Sequence, residues 1–201
     1  MSFANRASAK VFRDKLEIPV IQGGMGVGIS MGKLAGSVAA CGGMGVISTA
    51  LIGFREEDFY QNHVEADVRA LRKEIQIAKE IANGRGMIAI NAMTVTTDYR
   101  ECIEAAVREG IDAIISGAGL PLALPEIVDG KDVLIAPIVS SAKAAALIMR
   151  SWNKKCERKP DFIVVEGSGA GGHLGFKKEE LLEKSYQPLT EIVSDVVKVC
   201  G

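Results

Sequence analysis

The chain has 201 residues, 48% of them hydrophobic, and a formal net charge of −1. That length buries a sizeable core, and the near-neutral balance gives no electrostatic bias toward nucleic acid or an anionic membrane. Cys41, Cys102, Cys156 and Cys200 are widely spaced, with no CxxC pair and no Cys/His cluster at metal-ligand spacing, so neither a metal site nor a disulfide framework is suggested. The N-terminus MSFANRASAKVFRDKLE has no apolar core of signal-peptide length, and no apolar run of about 18 residues occurs. One cytoplasmic, enzyme-sized unit without a membrane span is expected.

Residues 1–17 read as a lead-in, a helical turn or two covering the bottom of the fold, and the organised part starts at Ile18. Ile18 to Ile21 is a short buried strand running into the glycine loop Gln22-Gly23-Gly24-Met25-Gly26-Val27-Gly28. Ser30 is the expected N-cap of a helix over Lys33 to Cys41, whose small apolar residues suit close packing on a sheet. Met44 to Thr49 is the second strand. From Arg55 to Asn83, apolar residues recur at three- and four-residue steps through Val64, Val68, Leu71, Ile75, Ala78 and Ile81, the pattern of a long amphipathic helix. His63 lies in it and reads as a solvated surface residue.

Met87 to Met93 is the third strand, and Asp98 is placed to cap a helix over Tyr99 to Glu109. Asp112 to Ser116 is the fourth strand, Leu120 to Val128 a short helical piece interrupted by Pro121 and Pro125, and Asp132 to Ser140 the fifth strand. Ser141 caps a helix running to about Lys155, with Lys143 on its surface and Trp152 on a packing face. Phe162 to Val165 is the sixth strand, followed by a charged turn over Lys177 to Glu183 and an amphipathic helix from Leu189 to Cys200.

Six strands alternating with helices imply a parallel sheet with right-handed crossovers, so all strand C-termini lie at one end. Gln22-Gly23-Gly24, Asn91, Ser116-Gly117, Ser140 and Gly171-Gly172-His173 are expected at that common mouth, where barrel and doubly wound folds both keep their chemistry. The stretch Asp161 to Phe176, DFIVVEGSGAGGHLGF, is the most telling: a strand empties into a loop with five glycines and one of only two histidines. Such a loop brings backbone N–H groups close to a planar or phosphorylated ligand, and an imidazole beside that ligand moves a proton near neutral pH. Read alone, the segment is equally a turn with a surface histidine; glycines at four of six strand ends favour a ligand site. No strand–GxGxxG–helix unit with a matching ribose acid supports a doubly wound nucleotide-binding domain.

Pro19-Val20-Ile21-Gln22-Gly23-Gly24-Met25-Gly26, the Gly42 to Ser48 strand, Asn91 and above all Ala170-Gly171-Gly172-His173-Leu174-Gly175 resemble the nitronate monooxygenase family, formerly the 2-nitropropane dioxygenases, which includes flavin-dependent enoyl-acyl-carrier-protein reductases. The resemblance spans most of the chain from Ile18 onward. It implies an FMN-binding TIM (β/α)₈ barrel over residues 18–201. Gly23, Gly24 and Met25 would then lie along the isoalloxazine, Asn91 would hydrogen-bond the flavin, and Glu166, Gly171 and Gly172 would meet the cofactor. His173 would be catalytic beside the flavin and substrate. Glu166 stands where some members have Gln, and an ionised carboxylate only accepts hydrogen bonds.

The resemblance also implies eight strands where six are read, and glycine-rich turns after strands seven and eight that hold the FMN phosphate. The expectation is therefore an incomplete barrel, about three quarters, whose open strand edges need cover from another chain, a second copy included, from a rearrangement or from solvent, and whose 201 residues bind FMN weakly or not at all. Implied substrates are small molecules, an alkyl nitronate oxidised with O₂ or, alternatively, an enoyl thioester reduced with NAD(P)H. The nitronate is preferred because AGGHLG fits it and no acyl-carrier docking patch stands out. A non-catalytic fragment completed by a partner is the remaining reading.

Overall fold

A computed structural model describes residues 15–200. Most of the lead-in segment, residues 1–14, lies outside the described residues. Five parallel strands form one sheet in the order β1 (Met44–Ser48), β2 (Met87–Met93), β3 (Ala113–Gly117), β4 (Leu134–Val139) and β5 (Val164–Val165). The connections carry α1 (Gly32–Ala40) before β1, then α2 (His63–Ala82), α3 (Tyr99–Arg108), α4 (Leu124–Ile127) and α5 (Ala142–Cys156). Two further helices, α6 (Lys178–Leu182) and α7 (Leu189–Cys200), follow β5.

Strand order follows chain order without reversal, which is how a barrel winds and how a doubly wound sheet does not. Side chains alternate across the sheet accordingly. Ile47, Ile90, Ile114 and Ile135 pack with Leu71, Ile75, Ile148 and Trp152 of the helices on one face. Met44, Val46, Ala89, Ile115 and Ala136 form a separate cluster on the other face, with Ile21 and Phe162 against it. This is an incomplete barrel of five paired strands.

The expected first strand is reduced to one parallel bridge, Ile21 to Met44. Val20 C=O accepts from Met44 N–H at 2.9 Å and Gln22 N–H donates to Met44 C=O at 3.0 Å, after which the backbone leaves the ladder. The Gln22 carboxamide continues the pairing: its Nε2 donates to Val46 C=O at 3.0 Å and its Oε1 accepts from Val46 N–H at 3.3 Å. A side-chain amide thus takes the place of the next peptide group. Before the bridge, Val20 N–H turns back to Ile18 C=O at 2.7 Å, Pro19 has no N–H, and Ile18 and Val20 are exposed, so the expected buried strand shrinks to Ile21.

The long amphipathic helix starts at His63 rather than Arg55, because residues 51–62 form successive turns. Buried Asp67 fixes that segment by accepting from Gly53 N–H at 2.6 Å. Two expected caps are also used differently. Ser30 makes no cap, since Gly32 N–H at the start of α1 donates to Glu74 Oε2 on α2 at 2.6 Å, and Asp98 accepts instead from the Cys102 thiol at 3.0 Å. Ser141 does cap α5, accepting from Ala144 N–H at 3.2 Å.

Small residues let α1 lie close to its neighbours. Gly32, Ala35, Gly36 and Ala39 are its buried face, and a Cβ on Gly45 of β1 would fall 2.7 Å from Ala35 Cα. At the opposite end of the sheet from the mouth, two aspartates act alike. Asp112 Oδ2 accepts from Ile88 N–H of β2 at 2.9 Å while its Oδ1 pairs with Lys15 at 2.6 Å. Asp161 Oδ2 accepts from Ile135 N–H of β4 at 2.8 Å and from Arg158 at 2.7 Å, and its Oδ1 is buried without a partner.

Candidate functional site

The parallel sheet puts the loops after Gln22, β1, β2, β3, β4 and β5 at one end. Asn91 of β2 pairs in register with Ser48 of β1 and has the same parity as Ala89, so its side chain faces away from the helices. There it meets the glycine loop: a Cβ on Gly24 would lie 2.7 Å from Asn91 Cγ, so only glycine allows the backbone to rest on this carboxamide. The Asn91 C=O is held on the neighbouring edge by Thr49, through its N–H at 3.0 Å and its hydroxyl at 3.2 Å.

The Gly23 to Met25 loop is fixed from below by Ser30, which is fully buried. The hydroxyl donates to Gly23 C=O at 3.2 Å and accepts from Met25 N–H at 2.9 Å and Gln22 Nε2 at 2.9 Å. Met25 C=O in turn accepts from Ser30 N–H at 3.0 Å. Both backbone groups of Met25 are therefore engaged, and its side chain is exposed beside the loop. Among the described residues, no hydrogen bond engages the N–H of Gly23 or the N–H and C=O of Gly24.

After β5 the chain makes its five-glycine loop. Gly169, Gly171 and Gly172 have open space where a Cβ would stand, and Gly172 has a φ of +84°. The loop is tied back at Gly175, whose N–H donates to Glu166 Oε2 at 2.9 Å and whose C=O accepts from Ser140 Oγ at 2.8 Å. Phe176 then packs against the core and meets the Tyr186 ring edge-on at 6.4 Å. His173, two residues before this tie, is exposed on the loop. Glu166 thus acts as an acceptor that shapes the His173 loop, a role that the carboxylate allows and that its position at a strand end did not reveal.

Ser116 does not reach the mouth with its side chain. It is fully buried, and its hydroxyl lies 2.8 Å from Tyr99 Oη on the helix side of the sheet; burial pushes the Tyr99 phenol up to about 12. The following turn, with Ala118 at φ +51°, is held by Thr94, whose hydroxyl donates to Ala118 C=O at 2.9 Å. Lys143 is exposed on α5, and His63, exposed at the start of α2, lies 2.9 Å from the Thr97 hydroxyl. Trp152 is fully buried and donates to Pro121 C=O at 2.9 Å, a packing residue as expected.

Gln22 and Ser140 were expected at the mouth, but their part as supports of the loops, with Ser30 and Thr94, was not read from the motifs. Ser30 lies eight residues from Gln22, and Ser140 thirty-five from Gly175, so only the fold joins them. Among the described residues no group of three or more His, Cys, Asp or Glu is placed to hold a metal ion, and no helix is long and apolar enough to cross a membrane.

Comparison with solved structures gives the same architecture. FabK from Thermotoga maritima superposes with a TM-score of 0.70 at 19% identity, covering 96% of this chain and 50% of that one. The nitroalkane oxidase from Streptomyces ansochromogenes superposes with a TM-score of 0.71 at 14% identity, covering 94% of this chain and 58% of that one. The chain thus spans between half and three fifths of the length of these two structures. A comparison with curated proteins gives no match. The model of the family described as Nitronate monooxygenase matches residues 10–200, and the chain belongs to that family of FMN-dependent oxidoreductases.

Proposed function

We propose that this chain binds FMN at the strand-end mouth and serves an oxidoreductase that oxidises alkyl nitronates with O₂. The observation that carries the reading is the contact of Gly24 with Asn91, at the same sheet end as the latched His173 loop. The residues fit a flavin on their own chemistry. A planar ring needs close backbone approach, which the side-chain-free surface at Gly23 and Gly24 supplies, and ring heteroatoms need donors, which the unengaged N–H groups of Gly23 and Gly24 and the Asn91 amide supply. FMN, when bound, supplies the electron chemistry.

The chain's own residues do the rest. Gly23, Gly24 and Asn91 would hold the flavin ring, and the open backbone at Gly171 and Gly172 would admit cofactor and substrate without a side chain in the way. His173 takes the proton from the α-carbon of a neutral nitroalkane or, as imidazolium, stabilises the nitronate anion.

The test is a visible spectrum of the purified protein titrated with FMN, followed by O₂ uptake with an alkyl nitronate. Weak binding is expected of these 201 residues, with flavin bands perturbed only at FMN well above the protein concentration, and any nitronate-dependent uptake that accompanies it should fall with His173→Ala by about 10²-fold or more in kcat/KM on the neutral nitroalkane. A flavin spectrum unchanged by saturating protein would overturn the cofactor reading. Bound flavin that is inert to nitronate and passes hydride from NAD(P)H to a crotonyl thioester would replace the substrate.

A further inference from the structure

Ser30 and Gln22 lie outside the motif residues that the resemblance assigns to flavin or substrate, yet the Ser30 hydroxyl bonds the loop that carries Gly23 and Gly24, and the Gln22 carboxamide joins that hydroxyl to β1. We infer that Gln22 and Ser30 are a positioning pair, which sets the Gly23–Gly24 backbone in its cofactor-receiving form before any ligand arrives. The inference rests on the flavin reading above and adds to it the residues that make the loop competent.

The Gln22 carboxamide is locked by two bonds to the Val46 peptide groups, so it takes its orientation from β1, a strand buried along its whole length. From that fixed point Nε2 donates to Ser30 Oγ at 2.9 Å. A serine hydroxyl has one donor and two acceptor sites, and here all three are filled: out to Gly23 C=O, in from Met25 N–H and in from Gln22. Ser30 C=O accepts from Ser48 N–H at 2.9 Å, tying the hub to the end of β1 as well. In a buried setting such a fully satisfied network specifies one arrangement, and losing a member leaves the others without partners.

The consequence for binding is selective. The pair consumes Gly23 C=O and both backbone groups of Met25, and leaves the N–H of Gly23 and the N–H and C=O of Gly24 for a ligand. A glycine-rich loop otherwise samples many conformations, and binding would have to order it; a preset loop avoids that cost. These two residues act through the loop and are positioning residues rather than catalytic ones.

The test uses the full 201-residue protein and two readouts: amide hydrogen exchange at Met25 without flavin, and FMN affinity by fluorescence titration. The wild type is expected to protect the Met25 amide well above the intrinsic rate. Ser30→Ala and Gln22→Met should each speed its exchange at least tenfold and raise the FMN Kd about tenfold. Ser30→Thr, which keeps the hydroxyl, should do neither, and Ser141→Ala, a helix-cap loss elsewhere, should lower global stability without changing either readout. A Met25 amide exchanging at the intrinsic rate in the wild type overturns the inference, whichever variants fold. So does a folded Ser30→Ala or Gln22→Met protein with unchanged protection and Kd. If the wild type ignores FMN, the flavin reading fails, and the exchange arm alone decides whether the pair sets the loop.

Discussion

Asp67 shows what a single buried acid does to this fold. Its carboxyl is pushed up to about 6, first by burial, against the pull of the Gly53 N–H, and further by the neighbouring Asp98. The neutral acid is the form the fold prefers. Its stabilising contribution is therefore fully present below the ordinary carboxyl value of about 4 and is lost as pH rises through about 6. Asp67→Asn stays neutral at every pH while keeping an acceptor for Gly53. Relative to the wild type it should gain on the order of 1 kcal/mol as pH is raised from 4 to 7, read from urea midpoints. A pH-independent difference would mean that the fold does not raise the Asp67 carboxyl. At this scale the sequence was legible where a residue type has one dominant use: Trp152 packs, and Gly24 permits close approach. It was not legible for Ser30 and Asp98, because cap prediction looks three residues along the chain, whereas Ser30 serves Gly23 and Met25 and Asp98 faces Cys102.

Among elements, most helices were read closely, since their apolar period survives into the structure, although α2 starts eight residues later than expected. Leu189–Cys200 has the expected bounds, and α5 starts after the expected cap. That cap gives a clear expectation: Ser141→Ala removes the acceptor for Ala144 N–H and should cost about 1 kcal/mol in chemical denaturation, with no change in m-value. A loss below a few tenths would show the α5 N-terminus to be satisfied by other means. Met87 to Met93 has the expected bounds and Asp112 to Ser116 is shifted by one residue to Ala113–Gly117, whereas the second, fifth and sixth strands were read too long. Ile18 to Ile21 became a bridge because Val20 N–H is spent on Ile18 C=O and Pro19 has none, and β5 pairs with β4 over only two residues. On α2 the buried stripe is built largely from Ala66, Ala70, Ala78 and Ala82, while Ile81 is partly exposed, so large aliphatics at helical spacing marked the helix better than they marked its buried face.

At the scale of the whole molecule, alternation of strands and helices sufficed to predict a parallel sheet, and unreversed strand order distinguishes barrel winding from the doubly wound alternative. The candidate site was legible as a set of strand-end glycines with Asn91 and His173; its supports were not, because they come from different βα units. The two aspartate clamps at the far end of the sheet divide that architecture unevenly. Asp112 ties β3 to β2 and Asp161 ties β5 to β4, while no equivalent side-chain bond joins β3 to β4 among the described residues. A chain cut in the exposed turn at Gly130 would therefore leave both clamps inside their own pieces, with the β3–β4 ladder and the Trp152 bond to Pro121 to rejoin them. Coexpressed halves 1–130 and 131–201 should copurify through that ladder and that bond. The protein is in this sense already perforated, and the turn at Gly130 is where a permuted terminus, an inserted domain or a split reporter would fit.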